Sequence, residues 1–333
     1  MAERCVGRFP FWLTVFLLLL FAAPGRAQSQ LAPEVETFIA EMVRKHQFEA
    51  GALRRLLGQA QSPSAILRAV SAPATARPWY EFRARNVDPA HITGGAAFWR
   101  EHAVALARAR REYGVPEEII VATIGIETLY GRNTGNFRVL DALTTLAFRY
   151  PPRAELFRTQ LEEYLLLSRE SGVDPTRMRG SYAGAIGIPQ FMPGSYRRYA
   201  VDFDGDGRRD LVGTVADAIG SVANYYKAHG WRAGEAVVVP AEASGAKVDA
   251  MVEAGIRPQT RIAEFRRMGV TPAVLVDESA EAALFVVETE AGPRYWLGFN
   301  NFYVITRYNR SINYALAIHE LARELLAVVR PGG

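Results

Sequence analysis

The sequence predicts a mainly α-helical protein of the α+β class, with a small β-containing module inserted late in the chain. Hydrophobic residues follow helical spacing through most of Leu31–His229 and again over Ser311–Val329. Between these regions the spacing changes to that of strands rich in Val, Leu and Phe. The 333 residues suffice for about two domains, and 49% hydrophobic and 22% charged residues are ordinary for a globular protein. A wholly disordered chain, a collagen-like repeat and a multispan membrane protein are therefore excluded.

Residues 1–27 are predicted to be a cleaved secretory signal. Two arginines precede the apolar stretch Phe9–Ala23, and small residues follow it before Gln28. The stretch is shorter than the ~20 residues that a membrane helix needs, although an uncleaved N-terminal anchor remains the alternative. The single cysteine, Cys5, lies inside this segment. The mature chain is thus expected to lack cysteine, which excludes a thiol nucleophile, a disulfide scaffold and a cysteine-zinc site.

Residues 28–87 are predicted to form a helical N-terminal domain. Its short helices are separated at Gly51, at Gly58 and at the turn Ser62-Pro63. The segment Ser71–Arg77 has the composition of a linker.

Residues 88–231 are predicted to form a larger helical core. One helix covers Phe98–Tyr113, and the next runs from Val115 to Tyr130, with a proline and two acidic residues in its first turn. The stretch Gly180–Tyr196 contains too many glycines and prolines for one regular element. Two further helices are expected on either side of that stretch, over Arg153–Ser171 and Asp217–His229.

Residues 232–298 are predicted to be the β-containing insertion. Strands are expected at Ala236–Val239, Ala283–Glu288 and Tyr295–Phe299, with the last two paired across a turn that contains Gly292. Residues 299–333 return to helical spacing and complete the helical part of the protein.

Glu127 is the candidate catalytic residue. It shares one stripe of its predicted helix with largely apolar residues, namely Ile119, Thr123, Ile126 and Tyr130. Partial desolvation and the negative end of the helix dipole both raise the pKa of such a carboxyl, as a general acid near neutral pH requires. The alternative is a helix-end glutamate that only reaches solvent.

Competing functional signatures are missing from the sequence. The five histidines show no His-Glu-x-x-His spacing, and no Gly-x-Ser-x-Gly, Gly-x-Gly-x-x-Gly or phosphate-binding glycine loop occurs. The formal net charge of +4 is small and scattered, so no nucleic-acid partner is expected.

One acidic loop resembles the first part of an EF-hand. Acidic residues occupy its positions one, three, five and nine, with glycine at six, in the run Asp202, Asp204, Asp206, Gly207 and Asp210. Arg208 would contribute its backbone carbonyl. Position twelve is Gly213 and lacks the usual glutamate, so Asp217 is expected to complete the ligand shell and to cap the following helix. A structural Ca²⁺ ion is predicted, with a metal-free polar turn as the alternative.

Four segments in consistent order resemble the membrane-bound lytic murein transglycosylase B family. They lie within a similarity that covers Trp79–Val329, and they read GVPEEIIVATIGIETLYGR, RGSYAGAIGIPQFMPGSYRRYAVDFDGDG, DAIGSVANYYKAHGW and NFYVITRYN. The resemblance implies a goose-type lysozyme-like helical core with a helical N-terminal domain and a small β-containing insertion.

The resemblance also implies residue roles. Glu127 matches the family's sole catalytic acid and base. Residues that match the lining of the glycan groove are Ser181, Gln190, Tyr225 and Tyr308, and the residues that match the calcium ligands are Asp202, Asp204, Asp206, Arg208 and Asp217.

The sequence departs from the family pattern at several places. Arg153 matches one of two arginines that meet the peptide stem, but the neighbouring position is Pro152. Phe82 replaces an expected groove tyrosine, and the acidic loop is one residue longer before Asp217. Cys5 precedes the apolar stretch, so it is not a lipidation cysteine.

The predicted function is a periplasmic lytic transglycosylase. It would cleave the β-1,4 bond between N-acetylmuramic acid and N-acetylglucosamine in peptidoglycan and form 1,6-anhydro-N-acetylmuramic acid, with no catalytic cofactor. A lysozyme-like hydrolase and a non-catalytic peptidoglycan-binding scaffold are the alternatives. The expected partners are glycan strands, with other cell-wall enzymes left open, and the protein is expected to be a monomer.

Overall fold

A computed structural model describes residues 31–71 and 77–330, together with the first two residues. Apart from its first two residues, the predicted signal (residues 1–27) lies outside the described residues. The middle of the predicted linker also lies outside them. Among the helices of the described ranges, none combines the length and the apolar character that crossing a membrane requires.

The N-terminal part consists of short helices, as predicted. The chain leaves α1 at Gln47 in a left-handed conformation (φ 59°), so the first break precedes Gly51 and does not fall on it. Gly51 lies instead in the first turn of α2, where its N–H donates to the Glu49 carboxylate at 2.6 Å. The four helices are α1 (Pro33–His46), α2 (Ala50–Gly58), α3 (Ser64–Ser71) and α4 (Trp79–Asn86).

The predicted helix Phe98–Tyr113 is in fact two helices. α5 (Pro89–Glu101) begins earlier, because the Asp88 carboxylate accepts the N–H of His91 at 2.8 Å and a proline follows at the first helical position. The chain leaves the helical region at His102, and α6 (Ala103–Tyr113) then runs to Gly114.

The central helices are α7 (Glu117–Thr128), α8 (Val139–Arg149), α9 (Ala154–Ser171), α10 (Pro193–Tyr199) and α11 (Val215–Ala228). Three of them, α7, α9 and α11, agree with the predicted helices to within two residues at each end, whereas α8 and α10 were not predicted, and α10 begins inside the stretch that was expected to be irregular. The rest of that glycine- and proline-rich stretch is irregular as expected. A two-residue ladder joins β1 (Phe137–Arg138) to β2 (Arg179–Gly180), and single bridges continue from β2 to Ile186 and Phe191.

The predicted insertion contains a five-stranded antiparallel sheet with strand order β4-β6-β7-β3-β5. The predicted pairing of the last two strands is confirmed, but the turn is the two residues Glu290 and Ala291, because Thr289 already pairs with Gly292 at the start of β7. The short elements α12, β4, α13 and β5 were not predicted. The module comprises β3 (Val238–Ala243), α12 (Val248–Glu253), β4 (Thr260–Arg261), α13 (Ile262–Arg267), β5 (Val270–Pro272), β6 (Glu281–Thr289) and β7 (Gly292–Gly298).

Two hydrophobic cores stabilise the molecule. The module has a small core of its own, built around Ile262, Phe265, Leu284 and Leu297. The larger core is built mainly by the helices, and Phe285 and Trp296 of the sheet also pack into it. There α15 (Ile312–Val329) follows α14 (Asn300–Tyr308) and packs along α7, α5 and α4. Each fully buried leucine or isoleucine there contributes roughly 1.5–3 kcal/mol.

Glycines let α5 and α7 hold one tyrosine between them. Tyr130 donates its hydroxyl proton to the carbonyl of His91 at 2.6 Å. A Cβ placed at Gly95 would lie 2.4 Å from the Tyr130 hydroxyl oxygen, and one at Gly125 would lie 2.5 Å from it. The missing side chains therefore create the space that this ring occupies.

Gly125→Ala is expected to destabilise the fold by about 1–3 kcal/mol, because the new methyl group overlaps the Tyr130 ring. In an open helix the same change would stabilise by up to ~1 kcal/mol. The matched control is Gly58→Ala, since no atom lies within 4 Å of a Cβ at that position. Urea unfolding measures the free energy of unfolding of both variants, and equal values for the two would contradict the packing argument.

Candidate active site

Glu127 lies in the last turn of α7, half-buried among apolar side chains. Its Oε1 accepts the hydroxyl proton of Tyr314 at 2.5 Å. Burial raises the pKa of Glu127 from 4.5 to about 7, and the Tyr314 hydroxyl bond opposes part of that rise. The carboxyl group therefore holds a proton over much of the range below neutral pH.

The turn after Glu127 has an unusual backbone. Leu129 and Tyr130 have φ angles of 49° and 62°, so two consecutive residues other than glycine adopt the left-handed region. The predicted helix end at Tyr130 was thus two residues too late. Thr128 holds this turn, because its hydroxyl accepts the N–H of Gly131 at 2.9 Å and donates to the carbonyl of Ile188 at 2.8 Å. Such strain is characteristic of functional sites.

A tyrosine cluster, formed by Tyr225, Tyr226, Tyr308 and Tyr314, surrounds Glu127. The ring of Tyr308 lies at its centre, with centroids 4.8 Å from Tyr225, 5.6 Å from Tyr226 and 6.4 Å from Tyr314. Burial raises the pKa of every one of these phenols, and the nearby Glu127 carboxylate raises each further. The four hydroxyls consequently stay protonated and act as hydrogen-bond donors.

Three of the four cluster hydroxyls bond to partners other than Glu127. Tyr225 donates to the carbonyl of Arg307 at 2.6 Å, Tyr308 donates to the carbonyl of Pro189, and Tyr226 shares a 2.8 Å bond with Thr123. Tyr314 alone of the cluster bonds to Glu127.

Sequence reasoning identified Tyr225 and Tyr308 but missed Tyr314 and Tyr226. Tyr314 lies in the first turn of α15, where its N–H donates to the Ser311 side chain at 3.3 Å. That capping serine was visible in the sequence, but it indicates where a helix begins and not which distant carboxylate its tyrosine meets.

Gln190 lies on the segment that joins α7 to the tyrosine cluster. Its backbone is left-handed (φ 50°), and its amide donates to the carbonyls of Thr134 at 3.1 Å and Gly187 at 2.8 Å. The next residue, Phe191, packs 5.7 Å from the Tyr308 ring. The structure therefore brings Gln190 to the same region as Glu127.

Ser181 lies one residue after β2, where its hydroxyl accepts the N–H groups of Ala183 at 3.2 Å and Ala185 at 3.1 Å. It braces the tight loop that leads to Ile186. Arg153 lies apart from the other residues, exposed in a 3-10 turn with its guanidinium 5.7 Å from the Phe157 ring. Within the described residues, no hydrogen bond or ion pair links Arg153 to the site.

The acidic loop brings together three of its predicted ligands. One carboxylate oxygen from each of Asp202, Asp204 and Asp217 lies within 4.8 Å of the others, whereas Asp206 is outside this group. Asp217 is only 1% exposed. Hard oxygen donors that converge beside a buried carboxylate suit a cation such as Ca²⁺.

The prediction that Asp217 caps the following helix is wrong. α11 begins at Val215 after Thr214, and no side chain bonds to its first N–H groups. The Asp217 oxygens instead accept the N–H groups of Phe203 at 2.7 Å and Asp210 at 2.8 Å, because those loop residues fold back over it.

A glutamate with a raised pKa beside a cluster of tyrosines in a helical core suits an enzyme that cleaves glycans by acid catalysis. The family model described as the Transglycosylase SLT domain matches residues 30–323. The chain belongs to this family and is a peptidoglycan lytic transglycosylase with a lysozyme-like fold, which confirms the expectations of family, fold class and enzyme activity.

Known relatives agree with this assignment. Membrane-bound lytic murein transglycosylase B of Escherichia coli is 42% identical over 301 residues, which are 87% of this chain and 82% of the relative. Soluble lytic transglycosylase SltB1 from Pseudomonas aeruginosa is 47% identical, with a TM-score of 0.83 over 89% of this chain and 99% of its own.

Two further solved structures carry ligands. Escherichia coli lytic transglycosylase Slt35 in complex with calcium is 41% identical, with a TM-score of 0.80 over 89% of this chain and 94% of its own. Pseudomonas aeruginosa SltB3 in complex with NAG-NAM-pentapeptide is 31% identical, with a TM-score of 0.76 over 90% of this chain and 79% of its own.

Tyr314→Phe is expected to raise the pKa of Glu127 further, because the lost hydroxyl favoured the ionised carboxylate. The alkaline limb of the pH–rate profile should therefore move to higher pH. Tyr226→Phe is the matched control, since it removes another cluster hydroxyl that bonds to Thr123 instead. Lysis of peptidoglycan followed from pH 5 to 9 measures the shift, and an unmoved limb in a folded Tyr314→Phe protein contradicts this role.

Proposed function

We propose that Glu127 is the sole general acid and base of the reaction, acting on the β-1,4 bond between N-acetylmuramic acid and N-acetylglucosamine. The observation that carries the proposal is the pKa of about 7, which leaves a proton to donate to the leaving oxygen near neutral pH. The carboxylate that remains after transfer keeps the 2.5 Å bond from Tyr314. That bond stabilises the anion at the moment when it forms.

The second half of the reaction uses the same carboxylate. Glu127 takes the proton from the C6 hydroxyl of the muramic residue, that oxygen attacks C1, and a 1,6-anhydro ring closes. The 2-acetamido carbonyl supports the oxocarbenium-like centre. Glycosidases with two carboxylates place the second roughly 5–9.5 Å from the first. Internal attack by the C6 hydroxyl needs neither a second carboxylate nor a positioned water.

The glycan is proposed to lie against the tyrosine cluster. Tyr225 and Tyr308 offer aromatic faces to the apolar C–H groups of the sugar rings, while Gln190 and Ser181 supply polar atoms from the irregular segment. Arg153, exposed and without an ion-pair partner among the described residues, is proposed to meet the peptide stem.

The proposed division is a helical N-terminal domain (28–87), a catalytic core (88–231), an insertion (232–298) and a closing segment (299–333). The separate hydrophobic core of the module supports treating the insertion as its own unit.

Calcium is proposed as a structural ion, held by Asp202, Asp204 and Asp217, with Asp206 and the Arg208 carbonyl as the remaining ligands. The convergence of three carboxylates supports this, as does the calcium complex of the similar protein Slt35. Asp217 belongs to the first turn of α11, the helix that carries Tyr225. The ion would therefore stabilise one wall of the site without entering the reaction.

The place of action is proposed to be the periplasm. The basic start, apolar stretch and small-residue end of residues 1–27 support secretion, and the position of Cys5 argues against lipidation. The resulting form would be a soluble monomer that acts on glycan strands.

Glu127→Gln is expected to reduce lysis of purified sacculi by at least ~10²–10⁴-fold, because the amide has no acidic proton to donate. Mass spectrometry of the wild-type products should show anhydro-muropeptides, whereas reducing ends would support the hydrolase.

The Glu127→Gln variant should also have a higher melting temperature than the wild type above pH 7. This difference in melting temperature should vanish as the pH falls towards 4.5. The folded-state pKa lies above the unfolded value of 4.5, so this residue's stabilising contribution is lost as the pH rises through about 7.

The control for this variant is Glu118→Gln, which changes another half-buried glutamate in the first turn of the same helix. Burial raises the pKa of Glu118 as well, yet the residue lies at the opposite end of α7. Its lytic activity should equal that of the wild type. Near-normal turnover by folded Glu127→Gln would overturn the assignment.

Calcium is expected to raise the melting temperature of the wild-type protein. A concentration of ~100 times the dissociation constant adds ~2.7 kcal/mol when only the folded state binds. The melting temperature of Asp204→Ala should rise much less with calcium. In chelator, its melting temperature should equal or exceed that of the wild type, because repulsion among the carboxylates is relieved. Glu253→Ala, an exposed acid of α12, is the control. A wild-type melt that ignores calcium would show that the loop is only a polar turn.

A further inference from the structure

A cleft of about 800 Å³ lies between the module and the start of α14. Its lining includes the buried Phe299 and the half-buried Asn300 and Tyr303 on one side, with Arg257 and Arg261 on the module side. None of the residues assigned above to catalysis, glycan contact or calcium lines it. The cleft is thus a second concave surface without an assigned role.

The charges of the cleft are mixed but incompletely paired. Arg232 lies 3.5 Å from Glu235, which neutralises that side. Arg257 and Arg261 are exposed, and neither forms an ion pair with any residue in the described ranges. Glu281 lies directly opposite Arg261 in the β4–β6 ladder and so shares its face of the sheet. The cleft therefore offers free guanidinium groups next to a carboxylate.

Helix α14 connects this cleft to the tyrosine cluster. Tyr303 lines the cleft, and the Arg307 guanidinium lies 5.9 Å from the Tyr303 ring centre. The Arg307 carbonyl in turn accepts the Tyr225 hydroxyl, and the Arg307 charge lowers the pKa of Tyr225 against the larger effect of burial. Along the helix axis, Tyr303 and Tyr308 are separated by ~7.5 Å, and the five residues turn by ~140° about it, so their side chains leave α14 on different sides. A ligand that joins the cleft to a glycan at the cluster would therefore pass around α14.

We propose that this cleft binds the peptide stem of the peptidoglycan strand on which Glu127 acts; this inference rests on the proposed function. A stem peptide carries carboxylates, which Arg257 and Arg261 recognise, and free amines, which suit Glu281. An extended peptide of five residues spans at most ~17 Å, so it reaches past the axial distance between Tyr308 and Tyr303.

The chemistry of the lining disfavours other ligands. A polyanion such as a nucleic acid would meet Glu235, Asp277 and Glu281 in the same cleft. An uncharged apolar ligand would leave the guanidinium groups without partners. A peptide that carries both signs of charge satisfies both kinds of side chain.

The test compares two soluble substrates: glycan strands that carry stem peptides, and the same strands after an amidase has removed the stems. The wild-type protein is expected to show a lower KM for stem-bearing strands with a similar kcat. In Arg257→Ala/Arg261→Ala, the ratio of the KM for stem-free strands to the KM for stem-bearing strands should fall about tenfold. Two exposed charge pairs each contribute a few-fold in affinity, which gives this magnitude.

Arg267→Ala is the control, because Arg267 is an exposed arginine of the same module that does not line the cleft. It should keep the wild-type KM ratio. Thermal melts check that the double variant is folded, and the single variant Arg257→Gln provides a milder change if it is not. A wild-type protein that treats both strands alike, or a folded variant that keeps the ratio, would overturn the stem site. Failure of the wild type to cleave either strand would overturn the proposed function as well.

Discussion

The desolvation of the Glu127 carboxyl is the physical constraint on which the rest of the site depends. Burial raises its pKa to about 7, and the Tyr314 hydroxyl limits that rise. The two effects oppose each other: burial favours the protonated carboxyl and the Tyr314 hydroxyl favours the anion, which suits the proposed transfer of a proton from Glu127 and back to it. An acid that must later act as a base requires both, because a carboxyl that is too strongly desolvated would never release its proton.

The surrounding fold maintains this environment with rigid packing. Gly95 and Gly125 leave room for Tyr130, whose hydroxyl bonds back to α5. That contact and the Thr128 bonds hold two consecutive left-handed residues directly after the catalytic turn. The strain of this turn is tolerated because several independent contacts specify it. The Glu127 side chain is therefore held by the backbone of α7 and not by a flexible loop.

The tyrosine cluster joins parts of the chain that are remote in sequence. α11, α14 and α15 each contribute, and the irregular segment near Gln190 is tied to both α7 and Tyr308. The acidic loop lies at the start of α11, while the module is continuous with the start of α14. The proposed calcium ion and the inserted sheet would therefore both bear on helices that carry cluster residues.

Local periodicity, turn residues and contiguous motifs were enough to predict the helical class, the β hairpin of the insertion, the acidic loop and Glu127 as the candidate acid. Four separated segments were enough to predict the family. The hydrogen bond between Tyr314 and Glu127 could be found only in the folded protein, because a contact between residues 187 positions apart leaves no local pattern. The same holds for the end of α7 at Thr128, where bonds from Thr128 to Ile188 and from Tyr130 to His91 hold a turn in place of a further helical turn. Asp217 likewise bonds to Phe203 and Asp210 instead of capping its own helix, since the loop folds over it. Long-range contacts of this kind depend on how the whole chain packs, and no window of the sequence contains them.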